Sequence, residues 1–185
     1  MKKTLLLFTI GSMAVFGFSL LAFAESMTEG FKDYLIPGKM NTMFFEKKVT
    51  VFLTTKMDLP AKLDDNAGWM VGLDTDMNKE TGGKWPKIGA DYIVSVINRN
   101  GKWQASVKNV KTGVSHAING EVMVEKNKVD FSIPLSELEN KTDFRWQIAV
   151  VSGEDQKALP DVMTASKKNQ KGDASYDDTM KSMKM

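Results

Sequence analysis

The sequence predicts an all-β fold, a two-sheet antiparallel β-sandwich of the jelly-roll or immunoglobulin-like type with at most one short helical turn. Apolar and polar residues alternate with a period of two along several segments, which are rich in β-branched and aromatic residues. Gly, Asn and Pro separate these segments, as they do between short strands. No segment has the long helical periodicity that the crossovers of a parallel sheet require. About seven short strands therefore favour a sandwich or a jelly roll.

The predicted strands begin after residue 47. Trp69, Val71 and Leu73 alternate along the second of them and share one face. The dipeptide Lys126-Asn127 predicts a tight hairpin between two later strands. The predicted strands cover residues 49–54, 69–73, 92–97, 103–108, 121–125, 128–133 and 144–150.

Two segments outside these strands carry weaker signals. Residues 25–46 show no clear periodicity, although Pro37-Gly38 indicates a turn. The single predicted helical turn covers 134–139, with Pro at its start and Ser136 as a candidate cap.

The first 24 residues are typical of a secretory signal peptide. Two lysines precede an apolar run over 5–21, and Ala22 and Ala24 supply the small residues that a signal peptidase reads. The alternative is a membrane anchor, because the run approaches the length that spans a bilayer. The small-residue site and the lack of a basic cluster after Ala24 favour cleavage after Ala24. This predicts a secreted or periplasmic protein that has no membrane attachment after cleavage.

The domain is predicted over 25–163, with its core at about 47–155, and residues 164–185 are predicted to be a flexible polar tail. Methionines near the end of the tail also permit a Cu(I) hypothesis, which the polar composition makes the weaker one.

The whole chain has 25 basic and 23 acidic residues, and two of the basic ones lie in the signal segment. The mature domain is therefore near-neutral, which argues against a nucleic-acid partner. Without cysteine it has no disulfides.

One loop carries a pattern typical of a metal site. Asp74, Asp76 and Asn78 stand at alternate positions after a strand, and Asp91 opens the next strand. Alternate spacing lets a curving backbone direct oxygen ligands at one centre, and hard oxygen ligands suit Ca²⁺. The loop is not an EF-hand, because Lys79 stands where that motif needs glycine. The alternative is an Asp- and Asn-rich turn whose side chains bond their own backbone.

The order of several motifs resembles the family 9 carbohydrate-binding modules and the wider group that includes DOMON domains. These motifs are D-x-D-x-N-x-x-T-G from Asp74, G-A-D-Y from Gly89 and I-P-L-S-x-L from Ile133, within about residues 65–155. The resemblance implies a two-sheet sandwich with a structural calcium ion held near Asp74, Asp76, Asn78 and Asp91. Such modules bind saccharides, and relatives bind haem.

The residues around the loop suggest a ligand-binding position. Trp85 lies in a loop outside any strand pattern, so it is the candidate for stacking on a sugar ring. The other three tryptophans alternate with aliphatic residues in strands, which favours the core. The lone His116 is the candidate axial ligand for haem, and a solitary histidine is more often a surface residue.

The sequence thus predicts a secreted, non-catalytic, calcium-stabilised binding module for a polysaccharide or cell-surface glycan. One histidine and no cysteine leave little basis for nucleophilic catalysis or a His-rich zinc site. A structural or adhesion-type protein-interaction module and a haem-binding electron carrier are the alternatives. The oligomeric state is not predicted.

Overall fold

The structure, a computed structural model, describes residues 30–118 and 122–170. Within these residues, a four-stranded and a six-stranded antiparallel sheet account for most of the chain, and two short strands pair separately. The predicted all-β, two-sheet fold is therefore confirmed. The strands are β1 Pro37–Phe45, β2 Lys48–Thr55, β3 Ala67–Asp74, β4 Gly83–Lys84, β5 Gly89–Ala90, β6 Tyr92–Arg99, β7 Lys102–Asn109, β8 Ser115–Ala117, β9 Val122–Glu125, β10 Lys128–Pro134, β11 Asp143–Ser152 and β12 Asp155–Ser166.

In both sheets, some neighbouring strands are far apart in the chain. The four-stranded sheet has the order β1-β2-β10-β9, and the six-stranded sheet has the order β12-β11-β3-β6-β7-β8. The central strands β2 and β3 each pair with one strand that is close in sequence and with one that comes much later.

The core lies between the inner faces of the two sheets. Trp69, Val71 and Leu73 of β3 are all buried, which confirms the face predicted for them. Val51 of β2 and Phe131 of β10 are adjacent in the register and buried on the facing sheet. The period-two alternation of these strands thus places one apolar row of each sheet in the core.

The predicted turns agree with the structure only in part. The Lys126-Asn127 hairpin forms as predicted, with Lys128 of β10 opposite Glu125 of β9. Among the described residues there are three short 3₁₀ turns, Asp33–Leu35, Leu135–Leu138 and Lys167–Asn169, where the sequence predicted at most one helical turn. Asp33–Leu35 lies in the segment 25–46, which shows no clear periodicity, and Lys167–Asn169 lies in the predicted flexible tail. Ser136 does not cap its turn, because it lies inside the helical residues and Pro134 occupies the N-cap position.

The two longest edge strands, β1 and β12, were not predicted. β1 begins at Pro37, so Pro37-Gly38 opens a strand instead of forming the predicted turn. β12 extends three residues beyond 163, the predicted end of the domain, and the chain then crosses to the other sheet. There the side-chain amide of Gln170 accepts from the Phe44 N–H at 2.9 Å and donates to the Thr42 carbonyl at 3.3 Å. Edge strands bury fewer residues, which weakens the alternation that reveals central strands.

The segments at the two ends of the chain lie outside the described residues. These are the predicted signal peptide and the part of the predicted tail after 170. In the part of the chain that the structure describes, no helix has both the length and the apolar character needed to cross a membrane.

Candidate functional site

The candidate site lies where two central strands of the six-stranded sheet meet. β3 ends at Asp74, and the chain makes a long excursion before Asp91 leads into β6. Because β3 and β6 are antiparallel neighbours, the end of one lies beside the start of the other. The backbone N–H of Asp91 donates to the carbonyl of Leu73 at 2.8 Å and fixes this junction.

Three carboxylates converge at the junction. Asp74, Asp76 and Asp91 each offer one oxygen, and these oxygens lie within 4.8 Å of one another. Asp74 is fully buried, Asp91 is half-buried and Asp76 is exposed. Carboxylates this close repel one another, so hydrogen-bond donors or positive charge must favour their ionised forms.

Donors of the loop supply part of that stabilisation. The Asn78 N–H donates to Asp74 Oδ1 at 3.0 Å and to Asp76 Oδ1 at 2.8 Å. The Thr81 hydroxyl donates to Asp76 Oδ2 at 2.7 Å. The Thr81 hydroxyl and the Asn78 N–H hold the pKa of Asp76 below its usual value, because both bonds favour the carboxylate.

The remaining bonds order the loop as a series of tight turns. Asp91 Oδ2 accepts from the N–H and the hydroxyl of Thr75 at 2.7 and 2.9 Å. The side-chain oxygen of Asn78 accepts from the Glu80 N–H at 3.1 Å, within its own turn. Such side-chain-to-backbone bonds are typical of Asx turns, the alternative stated for this segment. The same oxygens that order the loop are the predicted metal ligands.

Arg145 completes the cluster, and the sequence did not point to it. Its Nη2 atom lies 2.5 Å from Asp74 Oδ2, and the two residues face each other in the register of β11 and β3. They are 71 residues apart, so the contact follows only from the strand pairing. The one signal in the sequence was the alternation around Trp146, which places Arg145 on the outer face. Three carboxylates at −1 each and one guanidinium at +1 give the cluster a charge of −2.

This donor set fits a hard divalent cation. Ca²⁺ takes six to eight oxygen ligands from carboxylates, carbonyls and water. Asp74, Asp76 and Asp91 supply carboxylates, and each carboxylate oxygen has about two lone-pair sites, so a hydrogen bond leaves capacity for a metal. A net charge of −2 would balance a divalent ion, and Arg145 alone compensates only one of the three carboxylates.

Trp85, the predicted stacking residue, packs on the outer face of the sheet. Its indole ring lies so close to Gly72 of β3 that an added Cβ there would be 2.9 Å from the ring. Its Nε1 atom is buried and has no hydrogen-bond partner within the described residues. Beside it, the Lys87 N–H donates to Gln147 Oε1 at 3.3 Å, and Gln147 Nε2 donates to the Leu159 carbonyl at 2.6 Å. The loop that carries Trp85 is therefore held against the sheet by a ring contact with β3 and a hydrogen bond to β11.

The other tryptophans divide into two groups. Trp69 and Trp146 are fully buried, as predicted for core residues. Trp103 is half-buried at the edge of the core, where its ring stacks on Trp69 with centroids 5.5 Å apart and planes 12° from parallel. Trp103 and Trp85 are thus the tryptophans that remain partly accessible.

Two polar pairs involve the turn after β10. His116 Nε2 lies 2.6 Å from Glu137 Oε2, and 53 % of the histidine side chain is exposed. A haem ligand would instead face an apolar slot, so this pairing gives the haem hypothesis no support. Tyr92 donates to Glu139 Oε1 at 3.0 Å. Burial, aided by this bond, raises the pKa of Tyr92 to about 12, so its phenol stays neutral.

Comparison of the chain with protein-family models, with curated proteins and with solved structures gives no match. The resemblance to carbohydrate-binding and DOMON-like sandwiches therefore rests on the sequence motifs alone.

Proposed function

We propose that the protein is an exported, non-catalytic β-sandwich that is stabilised by Ca²⁺ and binds carbohydrate. The observation that carries the proposal is the convergence of Asp74, Asp76 and Asp91 at the junction of β3 and β6. The loop that supplies these side chains is also bonded to β11 through Gln147. An ion in this position would join the loop to the centre of the six-stranded sheet, so its role is structural.

The chemistry of the cluster favours metal binding over acid catalysis. A catalytic carboxylic acid needs a raised pKa so that it carries a proton near neutral pH. Here the pKa of Asp76 is lowered by its hydrogen bonds, and Asp74 is paired with the guanidinium of Arg145. Carboxylates that stay ionised are suited to holding a cation.

The proposal of carbohydrate as the ligand is supported by the partly accessible aromatic rings. Sugar rings present apolar C–H faces that pack on such rings, while their hydroxyl groups need polar partners. Trp103 offers such a ring, because it is half-buried and stacks on the buried Trp69.

Unfolding in Ca²⁺ and in EDTA tests the metal. An ion that binds only the folded state at a hundredfold excess over its Kd stabilises by about 2.7 kcal/mol, so the melting temperature should rise clearly in Ca²⁺. Asp76→Ala should remove most of this rise and change the melting temperature little in EDTA. Equal melting temperatures of the unmutated protein in Ca²⁺ and EDTA would contradict the calcium proposal.

Retention on polysaccharides tests the ligand. The full chain should migrate more slowly in native gels that contain a glucan, a xylan or a mannan than in gels without polysaccharide. Bovine serum albumin in the same gels is the control for sieving. Unchanged migration in every polysaccharide would contradict carbohydrate binding and leave the calcium result unaffected.

A further inference from the structure

A cleft lies at the end of the sandwich opposite the acidic loop. β3 and β6 have the acidic cluster at one end, and the cleft is at their other end, beside Asp65 and Asn98. The cleft has a volume of about 610 Å³ and is lined by residues 59–63, by the turn at Asn100 and by Trp103. This volume is within the range of small-molecule sites, roughly 300–1,000 Å³.

Asn98 lines this cleft, and its buried side chain carries an unsatisfied polar atom. Its side chain is only 3 % exposed, and its Oδ1 atom has no hydrogen-bond partner among the described residues. A buried acceptor without a donor destabilises a fold, so such atoms are rare unless a ligand or water satisfies them. Asn98 lies on the core-facing row of β6 with the apolar Val94 and Val96, where a valine or leucine would cost nothing in hydrogen bonds. Packing of the core therefore does not account for an amide side chain at this position.

Trp103 supplies a rigid apolar surface next to this acceptor. It is directly opposite Asn98 in the register of β6 and β7. One face of its ring stacks on Trp69, whose Nε1 donates to the Leu35 carbonyl at 2.8 Å. Because Trp69 is buried and anchored in this way, the position of Trp103 is fixed before any ligand arrives, which reduces the entropy lost on binding.

The rim of the cleft carries charges of both signs. Lys62 and Lys126 lie on its rim with Asp65, and all three are exposed. Asp65 Oδ1 accepts from the Asn100 N–H at 2.8 Å and holds the turn in place. A mixed rim offers both donors and acceptors to a neutral ligand that carries many hydroxyl groups.

We propose that this cleft is the carbohydrate site, in which Trp103 packs against the C–H face of a pyranose ring and the side-chain amide of Asn98 forms a hydrogen bond with one of its hydroxyl groups. The inference rests on the proposed carbohydrate function and adds its location. It moves the site from Trp85 to the other end of β3. An apolar surface, an unsatisfied amide and a rim that carries both signs of charge fit a neutral sugar.

Substitution of Asn98 and Trp103 tests this location in the full chain. Asn98→Leu replaces the unpaired amide by an apolar side chain of similar size, so the melting temperature should stay equal or rise. The apparent affinity for the retaining glucan, xylan or mannan should fall at least tenfold. Trp103→Leu should weaken retention similarly, although it also removes the stack on Trp69. Trp85→Leu makes the same change at the tryptophan that the sequence predicted to stack on a sugar, and loss of retention in this variant but not in Trp103→Leu would overturn the location.

The outcomes separate the location from the function. Loss of retention in Asn98→Leu with a preserved melting temperature supports the site. If the unmutated protein is retained and Asn98→Leu and Trp103→Leu are retained equally well, the location is overturned and the proposed function stands. If no polysaccharide retains the unmutated protein, the location and the carbohydrate function are both overturned.

Discussion

Asp74 is the residue on which the acidic loop depends. Its side chain has no exposed surface, yet it is paired with Arg145 and lies beside two further carboxylates. A buried carboxylate is tolerated only when its charge is compensated, which the guanidinium does here and which the proposed cation would also do. The stability of the protein should therefore respond to the loss of either of them.

Arg145→Met should destabilise the protein most strongly when calcium is absent. Breaking a buried ion pair by removing one partner costs about 3–5 kcal/mol, because the remaining charge is uncompensated. Arg145 is partly exposed, so the lower end of that range is expected in EDTA. Urea unfolding in Ca²⁺ and in EDTA measures both values. A loss in Ca²⁺ as large as that in EDTA would show that no ion shares the charge of the cluster.

The buried Asp130 should make the protein less stable as the pH rises, which is opposite to the usual effect of an aspartate. It is 8 % exposed on β10, between Phe52 and Met123 on the neighbouring strands. Burial raises its pKa to about 6, while Lys128 opposes the shift. In the folded state Asp130 therefore keeps its proton at pH values where the unfolded chain has lost it. Its contribution to stability falls as pH rises from about 4 to about 6.

Asp130→Asn should raise the free energy of unfolding at pH 7 and change it little at pH 4. A shift from 3.8 to about 6 corresponds to about 3 kcal/mol in the ionised range, which the isosteric amide should recover. Urea unfolding of both proteins at the two pH values measures the difference. A gain of the same size at pH 4 would contradict a charge-based cause.

At the scale of elements, the loop between β3 and β6 is fixed to the sheet by the contact of Trp85 with Gly72. Gly72→Ala would place a Cβ 2.9 Å from the indole ring and should destabilise the protein by about 1–3 kcal/mol. Gly38→Ala in β1 is the matched control, because its Cβ would meet its nearest atom at 3.5 Å. In a Trp85→Ala background the Gly72→Ala penalty should disappear. A persistent penalty in that background would show that the ring is not its cause.

The elements also show what the sequence reveals and what it does not. β3 was predictable because Trp69, Val71 and Leu73 alternate with outward residues, and the convergence of Asp74 with Asp91 follows from strand succession. β12 and Arg145 were not predictable, since an edge strand alternates weakly and the Arg145 contact depends on a pairing between distant strands. The contact of Trp85 with Gly72 depends on the path of a loop, for which periodicity carries no information.

At the scale of the whole molecule, the last described residues connect the two sheets. β12 belongs to the six-stranded sheet, and Gln170 bonds the edge of β1 in the four-stranded sheet. A chain that ends at residue 163 should therefore be less stable than the full chain by at least about 2 kcal/mol, because each lost hydrogen bond contributes about 1 kcal/mol. Gln170→Ala in the full chain should give an intermediate value. Equal urea midpoints for all three proteins would show that residues 164–170 lie outside the cooperative domain.

The strand order also determines when the fold can close. β2 and β3 are made early, but their second neighbours, β10 and β11, begin only at Lys128 and Asp143. During synthesis both central strands therefore expose an unpaired edge until the last third of the chain is available. Pairing over such sequence distances is slow, and the exposed edges are prone to aggregation. A nascent chain of this topology therefore cannot complete either sheet until about two thirds of it has been synthesised.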